Sequence, residues 1–171
     1  MKTKVYFAKV KPDAKIPSKR VEDAGFDIYA CFDAEYAVIK PHETKLIPTG
    51  IASVCDSDYC FVLKERGSTG TKGIAQRCGI IDSGYRNEWF VPITNTNPYP
   101  LVIFKESFEP ATLLTKGILP ADHIKTYPYE KAICQALVVP VPQTEVEEIS
   151  FDELQAISSE RGNGALGSSG K

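Results

Sequence analysis

The sequence predicts an all-β protein, an antiparallel sandwich or jelly roll, from three features of its 171 residues. Short segments rich in β-branched and aromatic residues recur along the chain. Clusters of Gly, Pro and Asp punctuate them at hairpin-like intervals rather than at the spacing of βαβ units. No long apolar run carries the 3.6-residue period of a helix. In chain order the expected strands are Val5–Val10, Tyr36–Ile39, Lys45–Val54, Cys60–Leu63, Glu88–Thr94 and Ile133–Val141. One short helix is expected over Phe151–Ile157, with Asp152 and Glu153 in its first turn and Leu154 and Ile157 on one face.

A chain of this length with 43% apolar residues forms one domain with a real core. Its net charge of −2 argues against a nucleic-acid binder, which needs a broad basic face. A small polyanion needs only a few Arg and backbone N–H groups and is not excluded. No apolar run approaches a membrane span, and the N-terminus lacks a signal-peptide core, so no membrane partner and a cytoplasmic location are expected. Cys31, Cys55, Cys60, Cys78 and Cys134 are odd in number and scattered; in a reducing compartment they read as free thiols.

Two segments stand apart. Asn97–Glu130 holds five of the twelve prolines, so it is no uninterrupted strand or helix. It also carries Leu101-Val102-Ile103-Phe104, Leu113-Leu114, Tyr127 and Tyr129, too apolar for a solvated linker, and reads as an ordered insertion packed on the body. The domain reading is therefore a β body over 1–157 with an insertion at 97–130, and a glycine-rich tail over 158–171.

Three stretches carry potential chemistry. In Gly79-Ile80-Ile81-Asp82-Ser83-Gly84-Tyr85-Arg86, Asp82 and Tyr85 flank a tight turn. A carboxylate there can take a proton from water while the ring covers a planar ligand, or the pair can be a turn cap and a packed tyrosine. Lys64–Gly73 is basic, hydroxyl-rich and glycine-rich, which suits a phosphate cradle but not the Walker pattern; an ordinary polar hairpin loop looks similar. The tail, Arg161 followed by glycines and Ser168-Ser169, again offers guanidinium, hydroxyls and free backbone, or simple terminal disorder. Together they compose a triphosphate site with a water-activating base.

These stretches, in this order, resemble the trimeric dUTPase family over nearly the whole chain. Ala24-Gly25-Phe26-Asp27-Ile28-Tyr29-Ala30 is similar to its first motif (A-G-x-D-L-x-A) and Arg66-Gly67-Ser68 falls at its second (P-R-S-G). Gly79–Arg86 is close to the third (G-x-I-D-x-x-Y-x-G), Ala132-Ile133-Cys134-Gln135 lies at the fourth (R-I-A-Q), and Arg161–Gly170 at the fifth (R-G-x-G-G-F-G-S-T-G). The resemblance implies a β jelly roll (β-clip) whose C-terminal tail is exchanged in a homotrimer, so that three subunits build each site. It implies hydrolysis of dUTP to dUMP and pyrophosphate, with Asp82 activating the water that attacks the α-phosphorus. Tyr85 would pack on the deoxyribose, and the hairpin from Ile80 and Ile81 onward, with Gln76, would read uracil. Arg66, Gly67, Ser68 and Gln135 would contact phosphates, with Arg161, Leu166, Gly167, Ser168 and Ser169 closing over them. Mg²⁺ would ride on the triphosphate, with Asp27 holding one of its waters.

The departures are specific. Glu65 replaces Pro and places a carboxylate beside a phosphate site, where it repels unless turned away or paired. Gly67-Ser68 reverses the usual order, Gln76 replaces Asn, Ala132 replaces Arg, and Leu166 replaces the aromatic that stacks on uracil. Some phage-encoded relatives carry an extra segment where Asn97–Glu130 lies, and in some it contacts a regulatory partner. Two alternatives follow: a dCTP deaminase-like enzyme using Glu88, or a regulatory protein that binds its partner through 97–130.

Overall fold

The computed structural model describes residues 3–77, 79–119 and 123–162. Among them the chain runs β1 (Val5–Lys9), β2 (Phe26–Ile28), β3 (Tyr36–Ile39), β4 (Thr44–Pro48), β5 (Ile51–Cys55), β6 (Tyr59–Lys64), α1 (Gly67–Gly70), β7 (Ile74–Gln76) and β8 (Ile80–Ile81). It continues through β9 (Phe90–Asn95), β10 (Leu101–Phe104), α2 (Thr112–Thr115), β11 (Lys125–Pro128), β12 (Cys134–Pro140) and α3 (Phe151–Ala156). The strands form small sheets ordered β1-β5, β11-β10-β3, β2-β12-β6-β8 and β4-β9-β7, antiparallel throughout except between β10 and β11, in the layered pattern of a jelly roll. Residues to Val141 form one compact unit, and those from Pro142 form a second.

Alternation explains the core. In β5, Ile51, Ser53 and Cys55 point inward while Ala52 and Val54 are half-buried, the period-two signature of a two-faced strand. Phe61 and Trp89 meet edge to face at 5.1 Å, Phe7 completes the cluster at 5.4 Å from Phe61, and Ile28, Ile39, Ile47, Leu63 and Ile93 pack around it. Cys31, Cys55, Cys60 and Cys134 are buried free thiols.

Three expectations change. The strand expected over Lys45–Val54 is two strands, because Gly50 turns the chain at φ +67° and a side chain there would sit 2.8 Å from Cys31 Sγ. The Asn97–Glu130 segment is not laid over the body but woven into it. β10 pairs antiparallel with β3 and parallel with β11, burying Leu101, Val102, Ile103 and Tyr127. Among the described residues between β10 and β11, Thr112–Thr115 form α2, whose Leu113 is buried. The described residues also hold three short helices where one was expected; α1 and α2 span four residues each, too few for a readable period.

In the second unit, α3 starts where its sequence says it should. Ser150 Oγ accepts the Glu153 amide at 3.2 Å and Glu153 Oε2 accepts the Ser150 amide at 2.8 Å, a reciprocal capping box. The described helices include none long and apolar enough to cross a membrane.

Candidate functional site

The first motif and the fourth meet because β2 and β12 are neighbours: Asp27 lies in register with Gln135, and Gln135 with Lys64. Gly25 permits this approach, since a Cβ on it would fall 2.7 Å from Gln135 Oε1 and 3.0 Å from Gln135 Cβ. Gln135 Nε2 donates to the Glu65 carbonyl at 2.8 Å, tying β12 to the loop that follows β6.

Arg66 stands at the centre of this group. Its Nε is 3.0 Å from Asp27 Oδ1 and its Nη2 3.4 Å from Asp27 Oδ2, a fork-to-fork ion pair with each side chain about one-third exposed. Nη1 donates to the Ser68 hydroxyl and to the Ala132 carbonyl, both at 3.4 Å. Gly67 and Ser68 belong to the helical turn α1, held by Thr69 and Gly70 amides on the Arg66 carbonyl at 3.0 and 2.9 Å. The first amides of such a turn have no intrahelical acceptor, and the space beside Gly67 is open. A cleft of about 700 Å³ opens here, lined by Asp27, Arg66, Gln135, Gly25 and the loop from Ser18 to Ala24.

Glu65 does not confront this cleft's cations. Its Oε1 accepts the Gln76 backbone amide at 3.1 Å, so the carboxylate that replaces Pro serves as a brace between the second-motif loop and β7. This also fixes Gln76, on β7, against that loop.

A second group lies elsewhere on the same sheet. Ile80 is exposed and Ile81 buried on β8, and Asp82, exposed, follows at the strand's end. The Tyr85 amide donates to the Asp82 carbonyl at 3.1 Å, closing the turn, and the Tyr85 hydroxyl donates to the Glu88 carbonyl at 3.1 Å. The Tyr85 side chain keeps an open face, at 38% exposure. Glu88 Oε1 accepts the Gly50 amide at 2.8 Å and Trp89 is buried behind it, so the turn is stapled to the core.

The two groups are apart within one chain. From Asp27 on β2 to Ile81 on β8 are three interstrand steps across the sheet and three residues along β6. At ~4.8 Å per step and ~3.3 Å per residue this is roughly 17 Å. Arg161 belongs to the C-terminal unit, where its amide donates to Ser159 Oγ at 3.2 Å. Leu166, Gly167, Ser168 and Ser169 lie outside the described residues.

One neighbour of Arg66 was silent in the sequence. Tyr127, on β11, is buried, and its hydroxyl donates to the same Ala132 carbonyl at 2.6 Å. Burial pushes its phenol up, opposed by the Arg66 charge and by hydrogen bonds from Arg66 and Ser68. The described residues contain no cluster of three or more His, Cys, Asp or Glu that could cage a metal ion.

A jelly roll with a guanidinium–hydroxyl–amide cluster on one part of a sheet and an acid–tyrosine turn on another defines a class of small β proteins equipped for phosphate esters. The family model described as dUTPase matches residues 13–107. The deoxyuridine 5'-triphosphate nucleotidohydrolase of Nautilia profundicola is 33% identical over 172 residues, covering 98% of this chain and 99% of its own. That of Neisseria meningitidis (strain Z2491) is 32% identical over 151 residues, covering 86% and 81%. Among solved structures, a mutant dUTPase of Staphylococcus bacteriophage 80alpha, determined with dUpNHpp, superposes with a TM-score of 0.71 at 23% identity, covering 97% of this chain and 98% of that one. The chain belongs to the dUTPase family.

Proposed function

We propose that the protein hydrolyses dUTP to dUMP and pyrophosphate as a homotrimer, in sites that no single chain completes. Family membership supports the substrate. The observation that carries the shared site is the gap between the Arg66 cluster and the Asp82 turn, too wide for one α-phosphate to touch both in one chain. Rotational symmetry closes such a gap by setting one chain's cluster beside its neighbour's turn. Asp82, exposed at the end of β8, takes a proton from the attacking water. The oxygen of that water bonds the α-phosphorus, the bond to the bridging oxygen breaks, and pyrophosphate leaves. Tyr85 offers its open face to the deoxyribose, and the hairpin from Ile80 and Ile81 onward, with Gln76, reads the base. Arg66, Gly67, Ser68 and Gln135 take the phosphates. Arg161 and the tail through Leu166, Gly167, Ser168 and Ser169 close over them from a neighbouring subunit.

The donor set suits Mg²⁺ that arrives on the triphosphate and keeps most of its waters, because Asp27 is a lone carboxylate whose oxygens also serve Arg66. Asp27 would hold one of those waters. Bound there, the ion would supply charge neutralisation along the phosphates. The deaminase reading is less favoured, since the Glu88 carboxylate is engaged by the Gly50 amide.

Pyrophosphate release measured across dUTP, UTP, dCTP and dTTP tests the substrate; release from dUTP alone is expected, and ammonia from dCTP without pyrophosphate from dUTP overturns it. Mixing the inactive variants Arg66→Ala and Asp82→Asn after subunit exchange tests the shared site. Roughly a quarter of wild-type activity should return, because a random trimer pairs an intact Arg66 with a neighbour's intact Asp82 at that frequency. No recovery after verified exchange would place both residues in one chain's site.

A further inference from the structure

We infer that Tyr127 is a positioning residue for the reaction, seating the Arg66 guanidinium through the Ala132 carbonyl. The inference rests on the reading of Arg66 as a phosphate ligand and adds what holds it.

The geometry is a buried relay. Tyr127 is 1% exposed, on a strand zipped in parallel to β10, so its ring has a fixed origin. Its hydroxyl donates to Ala132 O at 2.6 Å, and Arg66 Nη1 donates to the same oxygen at 3.4 Å. The phenolic proton is committed to that carbonyl, and Arg66 Nη1 also reaches the Ser68 hydroxyl at 3.4 Å, so the tyrosine, the arginine and the serine share one hydrogen-bonded group. Lys72, just past α1, lies 5.5 Å from the Tyr127 ring centroid, so the loop that carries Arg66 and Ser68 rests on this side chain from two directions. Asp27 fixes one side of the guanidinium, and Ala132 with Tyr127 fixes another. An arginine held on two sides loses little rotamer freedom when a phosphate arrives. Thr69, also buried, holds the Arg66 backbone, while the tyrosine hydroxyl is the buried side-chain group on the carbonyl that meets the guanidinium.

Tyr127→Phe removes one oxygen and keeps the ring. The expected result is a KM for dUTP raised about tenfold, equivalent to ~1.4 kcal/mol, with kcat within about twofold and a melting temperature close to that of the parent. Hydrogen exchange at Arg66 Nε–H, followed by ¹⁵N NMR in the ligand-free protein, should quicken by a similar factor. Unchanged Arg66 exchange in Tyr127→Phe overturns the seating, as does an equal fall in kcat and stability with KM unmoved. If the variant fails to fold, Ala132→Gly and Lys72→Met flank the same seat, and faster or unchanged Arg66 exchange in them supports or overturns it in the same way. A wild-type protein that releases no pyrophosphate from dUTP would overturn the functional reading alone, because the exchange measurement needs no substrate.

Discussion

Replacing Gly25 with Ala should cost both stability and substrate affinity, and the cost can be worked from contacts. The new Cβ would lie 2.7 Å from Gln135 Oε1, 3.0 Å from Gln135 Cβ and 3.2 Å from Gln135 Cδ, whereas carbon contacts settle near ~3.5–4.0 Å. The Gln135 amide can swing aside, but its Cβ belongs to a strand fixed on both sides by β2 and β6, so part of the clash must be absorbed by the sheet. Overpacking of this kind costs about 1–3 kcal/mol. Swinging the amide also breaks the 2.8 Å bond from Nε2 to the Glu65 carbonyl, about 1 kcal/mol more. At roughly 2–4 °C per kcal/mol for a chain of this size, the melting temperature should fall by about 5–15 °C. Displacing Gln135 and the Glu65 loop should also raise KM for dUTP. Calorimetry and steady-state pyrophosphate release read the two effects. A Gly25→Ala protein melting within about 1 °C of the parent, with unchanged KM, would refute the claim that this glycine is required by the approach of β12.

Other outcomes follow from the same contacts. Asp82→Asn should lower kcat by roughly 10²–10⁴-fold with folding and dUpNHpp binding nearly intact; single-turnover kinetics would expose a wrong assignment as a near-normal rate. Truncation after Ile157 should impair dUTP turnover far more than it lowers the melting temperature, since the body to Val141 is a compact unit by itself. Burial beside Cys31 pushes the Tyr129 phenol up to about 12. Because the folded value lies above the unfolded one of about 10, its contribution is complete below pH ~10 and is lost as pH rises toward ~12. Alkaline unfolding titrations of Tyr129→Phe should therefore show a shallower decline through that window; an unchanged slope would remove Tyr129 as its source.

What the sequence disclosed follows from which forces leave a local trace. Tyr36–Ile39 was legible to the residue, because β-branched and aromatic residues sit between clear turn signals. β2, β7 and β8 were not, since strands of two or three residues hold too little pattern and exist through their neighbours' hydrogen bonds. β10 and β11 were hidden by surrounding prolines, although Leu101–Phe104 announced burial. At the candidate site, the motifs drew attention to Asp27, Arg66, Asp82 and Tyr85, but the partners these residues take left no local trace. The Arg66–Asp27 pair spans 39 residues, and the tie of Glu65 to the Gln76 amide turned an apparent repulsion into a brace. Tyr127 left no signal beyond an aromatic in an apolar stretch; only the pairing of β11 with β10 brings it beneath Arg66.

That parallel pairing also determines how this chain tolerates new sequence. Strands running the same way leave the exit of one and the entry of the next at opposite ends, so the link between Phe104 and Lys125 has to travel back along the sheet and cannot shrink to a hairpin. Excising 97–130 would remove two structural strands, whereas trimming within 106–123 to about a dozen residues should leave the sheet whole. Lengthening costs little beyond the first turns, because loop entropy grows only with the logarithm of length. The stretch is thus a natural docking port for grafted peptides or reporter domains, anchored at both ends by β10 and β11 and steadied near its start by Phe108, which stacks on Tyr36 of β3 at 4.4 Å.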